Sequence, residues 1–205
     1  MTRNADYPID PLFTDRWSPR AFDGSAMDEA TLMTLLEAAR WAPSAYNMQP
    51  WRFIYGLRDT PAFDALLAVL IPFNQSWAKS ASALVVIASD TLMQPSPDAE
   101  AKPSHSHSFD AGAGWASMAF QATRMGFHTH GMSGVDFAKA QDALGVPERF
   151  RIECAVAIGR IGDPATLPEP LRGREAPSDR KPLSALAFEG RFGASVERGR
   201  RSAGR

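Results

Sequence analysis

Apolar, β-branched runs that alternate with stretches of helical spacing predict an α+β or α/β domain built on one sheet. The run Leu84 to Ala88 reads as a strand buried on both faces. Leu32, Leu35, Leu36 and Ala39 repeat with the period of a helix. Trp115, Met118, Ala119 and Ala122 mark the inner face of a second helix, Ala111 to Met125, expected to be buried on most sides. The length of 205 residues fits one domain with a sizeable core.

Residues 1 to 15 read as an arm crossing the surface, because Pro8 and Pro11 discourage helix. The first helix is expected from Met27 or Asp28 to about Trp41, with Pro43 as its stop. Trp51 to Tyr55 reads as a strand, Ala62 to Leu70 as a short helix limited by Pro72. The stretch Gln94 to Ser108, rich in proline and serine, reads as a loose surface loop. Phe137 to Leu144 makes a helix ended by Gly145 and Pro147, and Glu153 to Gly159 a further strand. Leu183 to Phe192 is expected to be the last strongly structured part. Beyond Gly193, Arg198, Arg200, Arg201 and Arg205 stand among Gly, Ser and Ala and read as a disordered, solvated end. There is no internal repeat.

A net charge of −1 gives no general pull toward nucleic acid or acidic membranes. No apolar run is long enough to span a bilayer, and Met1 to Asp10 lacks the apolar core of a signal peptide, so the expected location is the cytoplasm. The single cysteine, Cys154, excludes an intrachain disulfide and reads as a buried structural thiol in the run Ile152 to Ile158. His105 with His107 and His128 with His130 form two His-x-His pairs. Neither has a cysteine or carboxylate at a recognised ligand spacing, so no metal site is expected. A serine hydrolase is disfavoured because no Gly-x-Ser-x-Gly element is present.

Two segments carry the chemistry. In Ala42 to Trp51, two prolines stiffen a loop that holds Ser44, Asn47 and Gln49. Side-chain amides donate and accept together, which suits a flat heterocycle with carbonyls and ring nitrogens. Taken alone the loop reads equally as a binding element or as a stiff helix-to-strand connector. Upstream, Arg16-Trp17-Ser18-Pro19-Arg20-Ala21-Phe22 places two arginines around a serine just ahead of a helix. Arginine offers a fixed fork of donors matched to phosphate or to an anionic ring edge.

The ordered pair of an Arg-x-Ser-x-Arg-x-Phe element and a Pro-Ser-x-x-Asn-x-Gln-Pro-Trp loop, separated by one helix, resembles the nitroreductase family of FMN-dependent oxidoreductases. The resemblance extends from about residue 11 to about 193, leaving 194–205 as a basic tail. It implies an α+β fold, a mixed sheet flanked by helices, in an intertwined homodimer with the flavin at the subunit interface. By the match, Arg16, Ser18 and Arg20 hold the phosphate and ring edge, with Trp17 between them counted in the cofactor site, while Pro43, Ser44, Asn47 and Gln49 belong to a cross-subunit loop. Asn74 occupies the place of a ring-binding asparagine, though it also reads as a plain helix-end residue. Met132, Ser133 and Gly134 resemble a glycine-containing loop on the N5 side of the ring, where backbone amides could approach closely. Arg180, and after it Lys181, match a basic position on the FMN phosphate. Asp110 reads as a helix cap rather than a catalytic acid. Trp17 and Tyr46 depart from the smaller residues of many members.

No general acid or base is evident, and none is needed where the flavin carries the hydride. The resemblance therefore implies an NAD(P)H-using enzyme that passes electrons through FMN to a small acceptor in a ping-pong cycle. The scaffold is associated with nitroaromatic, quinone, enone and flavin reduction, dehalogenation and flavin breakdown. A flavin carrier or sensor without turnover is the alternative from another class.

Overall fold

The computed structural model describes residues 3–96 and 98–194. Four strands form the central sheet: β1 (Trp51–Leu57), β2 (Ala83–Asp90), β6 (Phe150–Gly159) and β5 (His128–Met132), in that spatial order. Every pairing in it is antiparallel. The α+β class therefore holds, but the expected mixture of strand directions is not found among the described residues. A two-stranded ribbon of β3 (Leu92–Met93) and β4 (Lys102–Pro103) lies apart from it.

The alternation of side chains in β2 divides the core into two layers. Leu84, Val86 and Ala88 point to one side, with Phe63 and Leu66 of α3 (Pro61–Ala68) and Trp77 of α4 (Pro72–Ala78). Ala83, Val85 and Ile87 point to the other, with Leu32 and Leu35 of α2 (Glu29–Arg40) and Met118 and Ala122 of α5 (His107–Arg124). Both layers are dry, which is why β2 is buried at all eight positions. In β6 the register against β2 shifts between Ile87 and Ala88, whose partners are Cys154 and Ile152. Glu153 is the extra residue, and the parity of the strand changes across it: Ile152 and Ala155 face the first layer, Cys154 and Val156 the second. Burial pushes the Cys154 thiol up to about 11, with the neighbouring Glu153 charge adding to it, so it remains a protonated core residue.

Several helices begin as the local chemistry dictates. Asp28 caps α2 through the Thr31 amide, and Thr60 caps α3 through Phe63 with Pro61 at the first position. Asp136 caps α6 (Phe137–Ala143) through Lys139. The same rule corrects two expectations. Pro11 does not discourage helix: it opens α1 (Pro11–Asp15) behind the cap Asp10, and Pro72 opens α4 rather than merely ending α3. The stretch 94–108 is not wholly irregular, since it contains β4 and the start of α5. Leu183 to Phe192 holds only one 3₁₀ turn (Leu183–Ala185), and Phe192 is exposed, so it is not strongly structured. The short α7 (Glu169–Arg172) precedes it, anchored by the buried Leu171. The Arg-rich end, 195–205, lies outside the described residues. No helix among the described residues is long and apolar enough to cross a membrane.

Candidate functional site

The segment Arg16 to Phe22 is fastened along its length to the edge of the sheet. Phe22 forms an isolated antiparallel bridge with Ile161, and Gly162 donates to the Ala21 carbonyl at 2.8 Å. A Cβ on Gly162 would lie 2.5 Å from the Phe22 carbonyl carbon, so glycine is what permits this approach. The amides of Arg20 and Ala21 both donate to Glu175 Oε1, at 2.6 and 2.8 Å. His130 of β5 donates from Nδ1 to the Pro19 carbonyl at 2.9 Å. Its ring packs on Trp77, with centroids 4.7 Å apart. Burial, reinforced by the charges of Arg20 and Arg16, brings the His130 pKa down to about 4, so the ring is neutral near pH 7.

Fastened in this way, the segment walls a cavity of about 330 Å³ lined by Arg16, Trp17, Ser18 and Arg20 together with His130, Arg3, Arg174, Ala176, Ser178 and Arg180. Among the described residues, five arginines line it and no carboxylate does. Burial and the positive charges of Arg180 and Arg3 depress the Arg16 pKa. Burial and Arg174 do the same for Arg20, against the opposing charge of Glu175. The Nε atoms of Arg3 and Arg20 are buried without a hydrogen-bond partner among the described residues. Like charges held together with unanswered donors make this cavity a candidate site for an anion.

The other candidate residues fall into two further groups. Asn74, 7% exposed on α4, donates from Nδ2 to the Gly134 carbonyl at 3.1 Å. The Ile71 amide donates to the same oxygen, also at 3.1 Å. Asn74 is thus neither a cap nor a free helix-end residue: it anchors the loop after β5. A Cβ on Gly134 would sit 2.4 Å from that amide nitrogen. Ser133 is exposed, whereas the Met132 side chain is buried in the first core layer and leaves only its backbone to the loop.

The third group is the 43–49 loop. Ser44 Oγ accepts from the Gln49 amide at 3.0 Å, and Gln49 Nε2 donates to the Asn47 carbonyl at 3.0 Å. Tyr46, Asn47 and Gln49 all have positive φ, of 52°, 54° and 49°, a conformation that costs a non-glycine residue about 1–3 kcal/mol. Asp110, at the start of α5, holds this conformation through the Ala45 amide at 3.2 Å. Pro43, Ser44, Asn47 and Gln49 do not line the arginine cavity. Lys181 does not line it either; it borders a neighbouring groove of about 630 Å³ between the N-terminal arm and the segment Ser178 to Leu186.

Arg3, Arg174 and Glu175 were not singled out from sequence. The density of basic residues from Arg172 to Lys181 was a usable signal for Arg174, whereas nothing local marks Arg3, which arrives through the N-terminal arm. Arg3 donates to the carbonyls of Thr14 and Arg16, at 2.9 and 2.8 Å, and so fixes the end of α1 beside the cavity.

Fold and site together define an α+β protein with a built anion-binding cavity at the edge of an antiparallel sheet. The chain belongs to the nitroreductase family, whose profile matches residues 13–60 and 57–160. A solved structure described as an oxidoreductase containing FMN aligns with a TM-score of 0.90 and 49% identity, over 94% of this chain and 97% of its own. An uncharacterised 15.4 kDa protein of Mycolicibacterium smegmatis is 34% identical over 128 residues, 62% of this chain and 82% of that protein. The oxygen-insensitive NADPH nitroreductase of Helicobacter pylori strain J99 is 37% identical over 79 residues, 38% of this chain and only 37% of that enzyme.

Proposed function

We propose that this chain is an FMN-dependent oxidoreductase that uses NADH or NADPH to reduce electron-poor acceptors, nitroaromatics or quinones among them, in a ping-pong cycle. The observation that carries the proposal is the convergence of Arg16, Arg20 and Arg180, with Ser18 and His130, on one cavity whose lining includes no carboxylate. The donor set fits the cofactor: fixed guanidinium forks suit a phosphate dianion, and a further cation suits a ring that gains negative charge on reduction. The FMN content of the 49% identical structure and the NADPH dependence in the Helicobacter enzyme's name support the same reading.

When bound, FMN supplies the two-electron chemistry, while the protein binds, orients and tunes. Arg16 and Arg180 would hold the phosphate, with Lys181 near its mouth, and Arg20 would face the ring edge. Trp17 would close one wall. The neutral His130 keeps Nδ1–H on Pro19, so its remaining nitrogen has only a lone pair to offer. Asn74 would act by holding the Met132–Ser133–Gly134 loop against the ring. In the proposed cytoplasmic homodimer, Pro43, Ser44, Asn47 and Gln49 of one subunit would complete the site of the other.

The visible spectrum of the purified protein, taken anaerobically before and after each nicotinamide, tests the function. Flavin bands that bleach are the expected result; no flavin even after reconstitution with FMN would refute it. Arg16→Ala should weaken FMN retention roughly tenfold or more, as loss of a charge-assisted phosphate contact requires. Full flavin occupancy in that variant would remove Arg16 from the phosphate site.

A further inference from the structure

A second cavity, of about 290 Å³, meets the arginine cavity at Arg20, which lines both. Among the described residues its other polar lining residues include Lys79, Ser76, Ser80 and Thr166, and none is a carboxylate. Trp77 forms part of the wall; it is 2% exposed, and its Nε1–H is buried without a partner among the described residues. Arg20 Nε is in the same condition. Indole and guanidinium nitrogens can only donate, so two of the lining residues carry a buried donor that no acceptor among the described residues answers. The hydroxyl groups behave differently. Ser76 and Thr166 give their protons to the carbonyls of Phe73 and Asp163, both at 2.7 Å, which leaves their oxygens as acceptors. A bare anion would leave those acceptors unused. A phosphate carried on a hydroxyl-bearing group would engage both kinds.

We propose that this cavity is a second phosphate site, separate from the one that would hold the FMN phosphate, and that it takes a phosphate ester bearing neighbouring hydroxyl groups. Two sources share that chemistry: the phosphorylated ribose of NADPH and a phosphorylated acceptor. The first source rests on the function proposed above, but the site itself does not.

The probe is adenosine 2′-monophosphate, titrated calorimetrically into FMN-saturated protein so that the arginine cavity is already filled. Lys79 is exposed, and its side chain takes no part in the flavin site described above. Lys79→Gln should weaken binding of the probe roughly tenfold, as loss of a charge-assisted contact implies, and Lys79→Arg should restore it. Flavin content should be the same in all three proteins. Equal affinity in the wild type and Lys79→Gln would overturn the site. The ratio of kcat/KM for NADPH over NADH then identifies the source. A ratio that falls with Lys79→Gln assigns the site to NADPH, and an unchanged ratio with lost probe binding assigns it to a phosphorylated acceptor. Failure to take up FMN would refute the function proposed above; the same titration into the flavin-free proteins, read as the difference between wild type and Lys79→Gln, would still decide the phosphate site.

Discussion

His130 joins three parts of the molecule: it projects from the edge strand, packs on Trp77 and holds the Pro19 carbonyl. Its pKa of about 4 in the folded chain lies below the ordinary 6.5, chiefly through burial. Between those values the unfolded chain binds a proton that the native ring refuses, so stability falls as pH drops from about 6.5 to about 4. From pH 7 to pH 5 the contribution lost is about 2 kcal/mol. His128, half-buried on the same face, has its pKa lowered too, chiefly by desolvation and then by the Arg16 charge, and adds to the loss in the same sense. Urea unfolding at the two pH values should show the loss in the wild type and a smaller one in His130→Gln. An equal loss in both would show that other groups govern the acid limb.

At the level of elements, the 43–49 loop and the start of α5 act as one unit. Asp110 is 4% exposed, and its Oδ2 accepts from the Ala45 amide and from Ser106 Oγ. Asp110→Ala should leave the Ala45 amide unanswered and raise its hydrogen-exchange rate roughly tenfold, while Asp110→Asn, which keeps an acceptor oxygen, should retain most of the protection. Exchange unchanged by the alanine variant would mean that the loop holds its shape by itself. The expectation that Asp110 caps the helix does not hold: the N-cap is Ser106, and Asp110 lies inside α5, turned to a long-range partner 65 residues away that no local pattern names. Helix α2 was legible almost to the residue because cap, apolar period and stop agree. Strand β5 was not, because His128, His130 and Gly131 hide an edge strand behind a glycine turn signal. Of the arginine motif, what the structure shows is proximity: Arg16, Ser18, Arg20 and Arg180 line one cavity. Trp17 joins them there, whereas Lys181 does not. Arg3 completes the cluster by tertiary contact alone, which no local pattern encodes, whereas the basic run from Arg172 to Lys181 carried a signal for Arg174.

On the scale of the whole molecule, large aromatic side chains lie open beside that same unit. Trp41 ends α2, Tyr46 stands in the strained loop and Phe109 opens α5; they are 75%, 79% and 81% exposed. The Ala45–Asp110 bond brings the loop and the helix start together, so Tyr46 and Phe109 belong to one end of the molecule. Exposed aromatics grouped in this way are the surface on which the proposed dimer is expected to form. Phe109→Glu should shift the proposed homodimer toward monomer in sedimentation velocity and lower flavin content with it. A dimer of undiminished stability would place the interface elsewhere.

The convergence of guanidinium groups also has a kinetic side. A cleft lined by one sign of charge focuses its field outward, and a dianion approaching it is drawn in before any contact forms. Such attraction reaches about 10 Å at 0.1 M salt and shrinks as salt rises. Loading of the empty chain is therefore governed by ionic strength through its on-rate. Phosphate buffer, competing for the same forks, should both steady the empty fold and slow the entry of the larger dianion.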